Sequence, residues 1–127
     1  MKTLYSLIES PFPPDFSALY RELGIEAQRF DSARNLHRAL QKQPPPDFCV
    51  GEFVYGWGNN YAGANVSNLD VTIRTLQRFA PQAKVIVFIQ AREEPHIGKL
   101  LELFPVHAVL AYPVSEQAMW AALQTPA

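Results

Sequence analysis

Apolar segments of two lengths alternate along this chain, and eleven prolines and six glycines punctuate the joins between them. That alternation is the pattern of repeated strand-helix units. The short runs read as strands: Leu4–Ile8, Ala27–Phe30, Phe48–Val54, Val85–Ile89 and Ala108–Ala111. The first, third and fourth lack polar alternation, so they are expected to be buried on both faces, as in a parallel sheet covered by helices. The longer segments carry helical spacing. Phe16, Leu19, Tyr20 and Leu23 fall at i, i+3, i+4 and i+7 ahead of Gly24, a stop signal. Asp31 or Ser32 can cap a second helix whose Leu36, Ala39 and Leu40 face inward, before Pro44-Pro45-Pro46 forces an extended exit. Ser67 with Asp70 reads as a capping box, with Val66 stapled onto Val71, and opens a third helix that buries Leu69, Ile73, Leu76 and Phe79. Glu93-Glu94-Pro95 suits the first turn of a fourth helix, and Ser115 can cap a fifth that carries Ala118, Met119, Ala122 and Leu123. The expectation is an α/β chain with five β-α units.

Composition narrows the function classes. The chain has 127 residues, 48% of them hydrophobic, which suits one domain over 1–127 with an ordinary core. Twelve acids against eleven strong bases leave a net charge of −1, without the electrostatic footprint of nucleic-acid binding. The single cysteine, Cys49, lies inside an apolar run, so no disulfide framework and no CxxC site is available, and a reducing cytoplasm is expected. No apolar run approaches the roughly 18 residues of a membrane helix, so the chain reads as soluble and unprocessed.

In an open parallel sheet, ligands gather beyond the carboxyl ends of the strands, where strand order reverses. Glu9 ends the first strand and Glu52 lies near the end of the third. Two converging carboxylates can bind a hard cation or raise each other's proton affinity; equally, they can point to solvent or cap backbone amides. One connection is long: Gly56 to Asn65, directly after the third strand, reads as an insertion over about 56–66. Its Trp57 and Tyr61 either pin the loop to the body or offer contacts to a partner. Gly51, inside a strand, points to something approaching the backbone closely, a helix before a ligand. His37, His96 and His107 share no metal spacing and read as surface histidines, and Cys49 reads as an inert core thiol. Arg34 and Arg38, four apart on the second helix, read as a solvated face.

These residues carry a resemblance. Pro46-Asp47-Phe48-Cys49-Val50-Gly51-Glu52 resembles the third-strand segment of response-regulator receiver domains, with Glu52 at the position of the phosphorylated aspartate. Leu23-Gly24 through Phe30, and Ala33 to Leu40, are similar to the family's first helix exit, second strand and second helix. Ile89-Gln90-Ala91-Arg92 and Leu110-Ala111-Tyr112-Pro113-Val114 resemble its fourth and fifth strand ends. The resemblance implies a flavodoxin-like three-layer (βα)5 sandwich, a parallel five-stranded sheet in the order 2-1-3-4-5, and a cis Tyr112-Pro113 bond.

The departures shape the expected function. Active members hold Mg²⁺ with an acidic pair after the first strand and read the phosphoryl group with a hydroxyl and a lysine. Here the pair is Glu9-Ser10, the hydroxyl position is Gln90, the lysine position is Tyr112 and the acceptor is Glu52. Glutamate reaches one methylene further than aspartate, which displaces the attacking oxygen from in-line geometry. The expectation is therefore a receiver-like signalling module without phosphate acceptance, without a cofactor and with Mg²⁺ doubtful, acting by protein-protein interaction. A locked-on mimic of the charged state is the other possibility. The helix 4-strand 5-helix 5 side is the expected interface or homodimer face, through Trp120, Tyr112, Leu100 and Phe104. Alternatives are a phosphorelay regulator with atypical chemistry and a metal-dependent flavodoxin-like enzyme using Glu9 and Glu52. Flavin or nucleotide binding is disfavoured because Ser10-Pro11-Phe12-Pro13-Pro14 removes three backbone donors.

Overall fold

The computed structural model describes residues 2–8, 14–55 and 67–124. Within them, five parallel strands alternate with helices: β1 (Lys2–Leu7), α1 (Ser17–Glu22), β2 (Ile25–Arg29), α2 (Ala33–Lys42), β3 (Phe48–Glu52), α3 (Asp70–Phe79), β4 (Lys84–Ile89), α4 (Ile97–Leu103), β5 (Ala108–Ala111) and α5 (Glu116–Leu123). The sheet order is β2-β1-β3-β4-β5, as expected. Each register pair, from Leu4 with Phe48 to Phe48 with Lys84 and Ile86 with Ala108, brings the carboxyl ends of the strands to one edge.

The sheet buries both faces, so the central strands are apolar without alternation. Tyr5, Leu7, Phe53 and Val87 meet Leu36, Leu40, Ile73, Leu76 and Leu100 on one side. Leu4, Phe48, Val50, Ile86 and Phe88 meet Phe16, Leu19, Met119 and Leu123 on the other. Burying one such aromatic or leucine contributes roughly 1.5–3 kcal/mol. Gly51 is explained by this packing: a Cβ there would lie 2.8 Å from Leu69 Cδ2, so Leu69 at the head of α3 sits directly on the strand.

Capping follows the sequence at four places. Ser32, rather than Asp31, caps α2 by accepting from Asn35 N at 3.2 Å, and Ser115 caps α5 by accepting from Ala118 N at 3.0 Å. Gly24 ends α1 in the left-handed region at φ 71°. Asp70 accepts from Ser67 N at 2.7 Å, the return half of the expected capping box, although α3 itself starts at Asp70. The proposed Val66–Val71 staple involves a residue outside the described ones. The fourth helix differs from expectation. Ala91–His96 winds as a 3-10 turn containing Pro95, and α4 begins only at Ile97. Glu93, expected in the first turn of the helix, lies in the 3-10 turn instead and is buried at 8% exposure. Phe79 is half-buried rather than buried.

Candidate functional site

Three strand ends adjoin at the carboxyl edge. Glu52 is the last residue of β3, Gln90 follows β4 and Tyr112 follows β5; Glu52 is in register with Phe88, and Ile89 with Ala111. The Tyr112 hydroxyl donates to Glu52 Oε2 at 2.5 Å, a short bond to a carboxylate oxygen. The tyrosine is positioned at both ends. Its backbone N donates to Ile89 O at 2.8 Å, and its ring meets Phe88 edge-on at 5.8 Å. The Tyr112-Pro113 peptide is cis, as the resemblance implied.

A second set of bonds secures the chain just past Glu52. Asn68 Nδ2 donates to Glu52 O and Asn68 Oδ1 accepts from Val54 N, both at 2.7 Å. One side chain thus replaces a neighbouring strand for the end of β3. Tyr55 forms an antiparallel bridge with Ser67, and Tyr55 N donates to the buried Glu93 carboxylate at 3.0 Å. The Tyr55 ring stacks on His96 at 4.1 Å and 8°, while Lys99 Nζ donates to its hydroxyl at 3.0 Å. Glu52, the base of the 56–66 segment and the start of α4 are therefore linked through consecutive residues.

Of the residues singled out from sequence, Glu52 and Tyr112 meet directly, and Gln90 stands at the strand end between them with an exposed side chain. Pro113 is exposed beside them. Glu9, Ser10, Trp57 and Tyr61 lie outside the described residues. Two interface candidates are corrected: Leu100 at 0% exposure and Phe104 at 7% are core residues, because α4 turns Leu100 onto the sheet and the extended residue that follows the helix carries Phe104 into the same cluster. Trp120 is 48% exposed. Of the three histidines, His107 is exposed as expected and His37 and His96 are half-buried, and each makes a specific contact. His37 shares a 2.9 Å hydrogen bond with Thr72 Oγ1, His96 stacks on Tyr55, and His107 Nε2 lies 2.9 Å from Ala122 O. Burial pushes the Cys49 thiol up to about 12, in keeping with an inert core residue. The roles of Asn68, Tyr55, Glu93 and Lys99 had no signal in periodicity or spacing.

A hard cation needs several oxygen donors around one point. Among the described residues, no three His, Cys, Asp or Glu side chains gather in that way, and Glu52 is already held by Tyr112. The described residues do not by themselves fit Mg²⁺, and no chemical step is derived through it. A cavity of about 680 Å³ lies elsewhere, between α1 and the β1–β2 side of the sheet, lined by Ile8, Phe16, Tyr20, Ile25 and Arg29 and by neither Glu52 nor Tyr112.

No protein-family model matches the chain, and no curated protein matches it in sequence. Solved structures do match in shape. A response regulator receiver protein from Pseudomonas putida is similar with a TM-score of 0.69 at 17% identity, covering 96% of this chain and 94% of that one. A response regulator receiver domain protein from Clostridium thermocellum is similar with a TM-score of 0.65 at 13% identity, covering 96% and 90%. The chain adopts the response-regulator receiver fold. An adenylate cyclase from Rhodopirellula baltica contains a similar arrangement, with a TM-score of 0.68 at 13% identity over 95% of this chain and 83% of that one. A receiver fold shared at such identities defines a scaffold, and function has to be argued from the site on it. In this receiver fold the side chain at the end of β3 is a glutamate, and the residue after β5 is a neutral hydroxyl donor bound to it.

Proposed function

We propose that this chain is a receiver-like signalling module that does not accept phosphate and that acts through contact with a protein partner rather than by catalysis. The observation that carries the reading is the Tyr112–Glu52 bond. One of the two carboxylate oxygens of Glu52 accepts from the Tyr112 hydroxyl at 2.5 Å, which draws charge from the group that would have to attack a phosphorus atom. That hydroxyl is neutral, so it does not offset the charge of a transferring phosphoryl group as an ammonium would. The pair holds the ends of β3 and β5 in one arrangement, which favours a fixed binding surface over a switch with two populated states. A cytoplasmic setting goes with this reading.

The test is direct. Intact protein incubated with a small phosphodonor and Mg²⁺ should keep its mass by mass spectrometry; stoichiometric phosphoryl addition at Glu52 would overturn the reading. With Leu100 and Phe104 assigned to the core, Trp120 is the contact residue proposed for the α4-β5-α5 side, since large exposed aromatics anchor interfaces. If that side forms a homodimer, Trp120→Ala should lower the mass seen by analytical ultracentrifugation, and an unchanged mass counts against the contact.

A further inference from the structure

Charge is unevenly distributed over this molecule. Five of the eleven bases, Arg34, Arg38, Lys42, Arg74 and Arg78, lie on α2 and α3, and those helices carry one of the twelve acids. That acid, Asp70, is fully buried and accepts from Ser67 N and Ser67 Oγ, so it adds nothing negative to the surface. The rest of the chain holds six bases and eleven acids.

The geometry makes one face of these charges. α2 and α3 pack side by side, joined by the His37–Thr72 bond, and run in the same direction because each follows a strand of one parallel sheet. Leu36, Ala39 and Leu40 of α2 are buried, which turns Arg34, Arg38 and Lys42 outward in a single stripe. Residues four apart repeat roughly every 6 Å along a helix, so the stripe spans about 12 Å. On α3, burial of Ile73 and Leu76 leaves Val71, Arg74 and Arg78 exposed. The Arg74 guanidinium lies over the Phe104 ring at 5.3 Å and that of Arg78 over Phe79 at 5.1 Å, which restrains both. Among the described residues, no carboxylate forms an ion pair with Arg34, Arg38, Lys42 or Arg78.

A solvated helix face ordinarily mixes both signs. A single sign over two adjacent helices, on a chain that is otherwise acidic, attracts a partner of opposite charge and repels the rest. The aromatic of these helices, Phe79, is half-buried beneath Arg78, so among the described residues of α2 and α3 there is no exposed stacking platform of the kind single-stranded nucleic acid uses. We infer that the outer face of α2 and α3 docks an acidic helix of a partner protein. Carboxylates one turn apart on that helix meet Arg34, Arg38 and Lys42 in register. This inference rests on reading the chain as a binding module, and it places a contact surface away from Trp120.

The probe is a labelled helical peptide with glutamates at i, i+4 and i+8, titrated with the full chain and followed by fluorescence anisotropy. Saturable binding should weaken as salt rises from about 50 to about 200 mM, because exposed charges are screened. Arg34→Glu/Arg38→Glu/Lys42→Glu should weaken it by about tenfold or more, whereas the control Arg21→Glu/Arg92→Glu should change it by less than about twofold. If circular dichroism shows the triple variant unfolded, Arg38→Gln with Arg78→Gln takes its place, with a smaller loss expected. Absent saturation, equal loss in variant and control, or tighter binding of a single-stranded oligonucleotide or an anionic vesicle would each overturn the assignment. Failure here would remove this face alone, whereas phosphoryl addition at Glu52 would remove the module reading and leave the peptide result standing.

Discussion

Tyr112 and Glu52 are sixty residues apart in the chain and meet because two long side chains reach across the end of β4, which separates β3 from β5. A tyrosine hydroxyl on a carboxylate is worth about 1.5–3 kcal/mol where burial strengthens it, and this bond is only partly buried. Tyr112→Phe, which keeps the ring against Phe88, should therefore lower unfolding stability by about 1–2 kcal/mol in urea titration. A change within about 0.5 kcal/mol would show that the bond holds nothing in place. Glu52 could be read from sequence because it ends an apolar run and strand ends in a parallel sheet share an edge, whereas Gln90 and Tyr112 were legible through the resemblance of their segments to receiver-domain strand ends. Asn68 and Tyr55 were not legible. Their partners are 14 to 44 residues away, and their roles depend on where the chain turns after β3 and how the 3-10 turn presents Glu93, His96 and Lys99.

The same distinction holds for whole elements. All five strands and five helices were legible, because alternating segment lengths and caps such as Ser32 and Ser115 are local signals. β5 matches its expected span, while β2 begins at Ile25 because pairing with Lys2 of β1 sets its start. The head of α4 differs from expectation since Pro95 is compatible with either a first helical turn or a 3-10 turn, and the 3-10 turn goes with a partly buried, long-range bond from Tyr55 N to Glu93 that no local signal announces. Between α2 and α3, the His37–Thr72 contact has a pH signature. Burial lowers the imidazole below its ordinary value of 6.5, so the unfolded chain binds the proton more readily than the folded one. Stability from this site is complete above about pH 6.5 and declines as pH falls below that value. Urea midpoints of the native chain and of His37→Gln should therefore converge on acidification from about pH 7 to about pH 5, and a constant gap would refute it.

At the scale of the whole molecule, Cys49 reports on the sheet. It lies in the central strand β3 at 3% exposure, and burial pushes its thiol up to about 12. Reaction with a thiol reagent requires the sheet to open, so labelling should be slow in buffer, accelerate with denaturant and track global unfolding. Rapid labelling in native buffer would contradict the packing described for β3. The bridge between Tyr55 and Ser67 has a different consequence. It sets the two ends of the 56–66 segment at the separation of paired strands, whatever the segment contains. Closure entropy rises only by about 0.6 kcal/mol for each doubling of a flexible loop. The site is thus suited to grafting: a foreign epitope spliced between those two anchors can be displayed, or its length varied over generations, without the cost reaching the core.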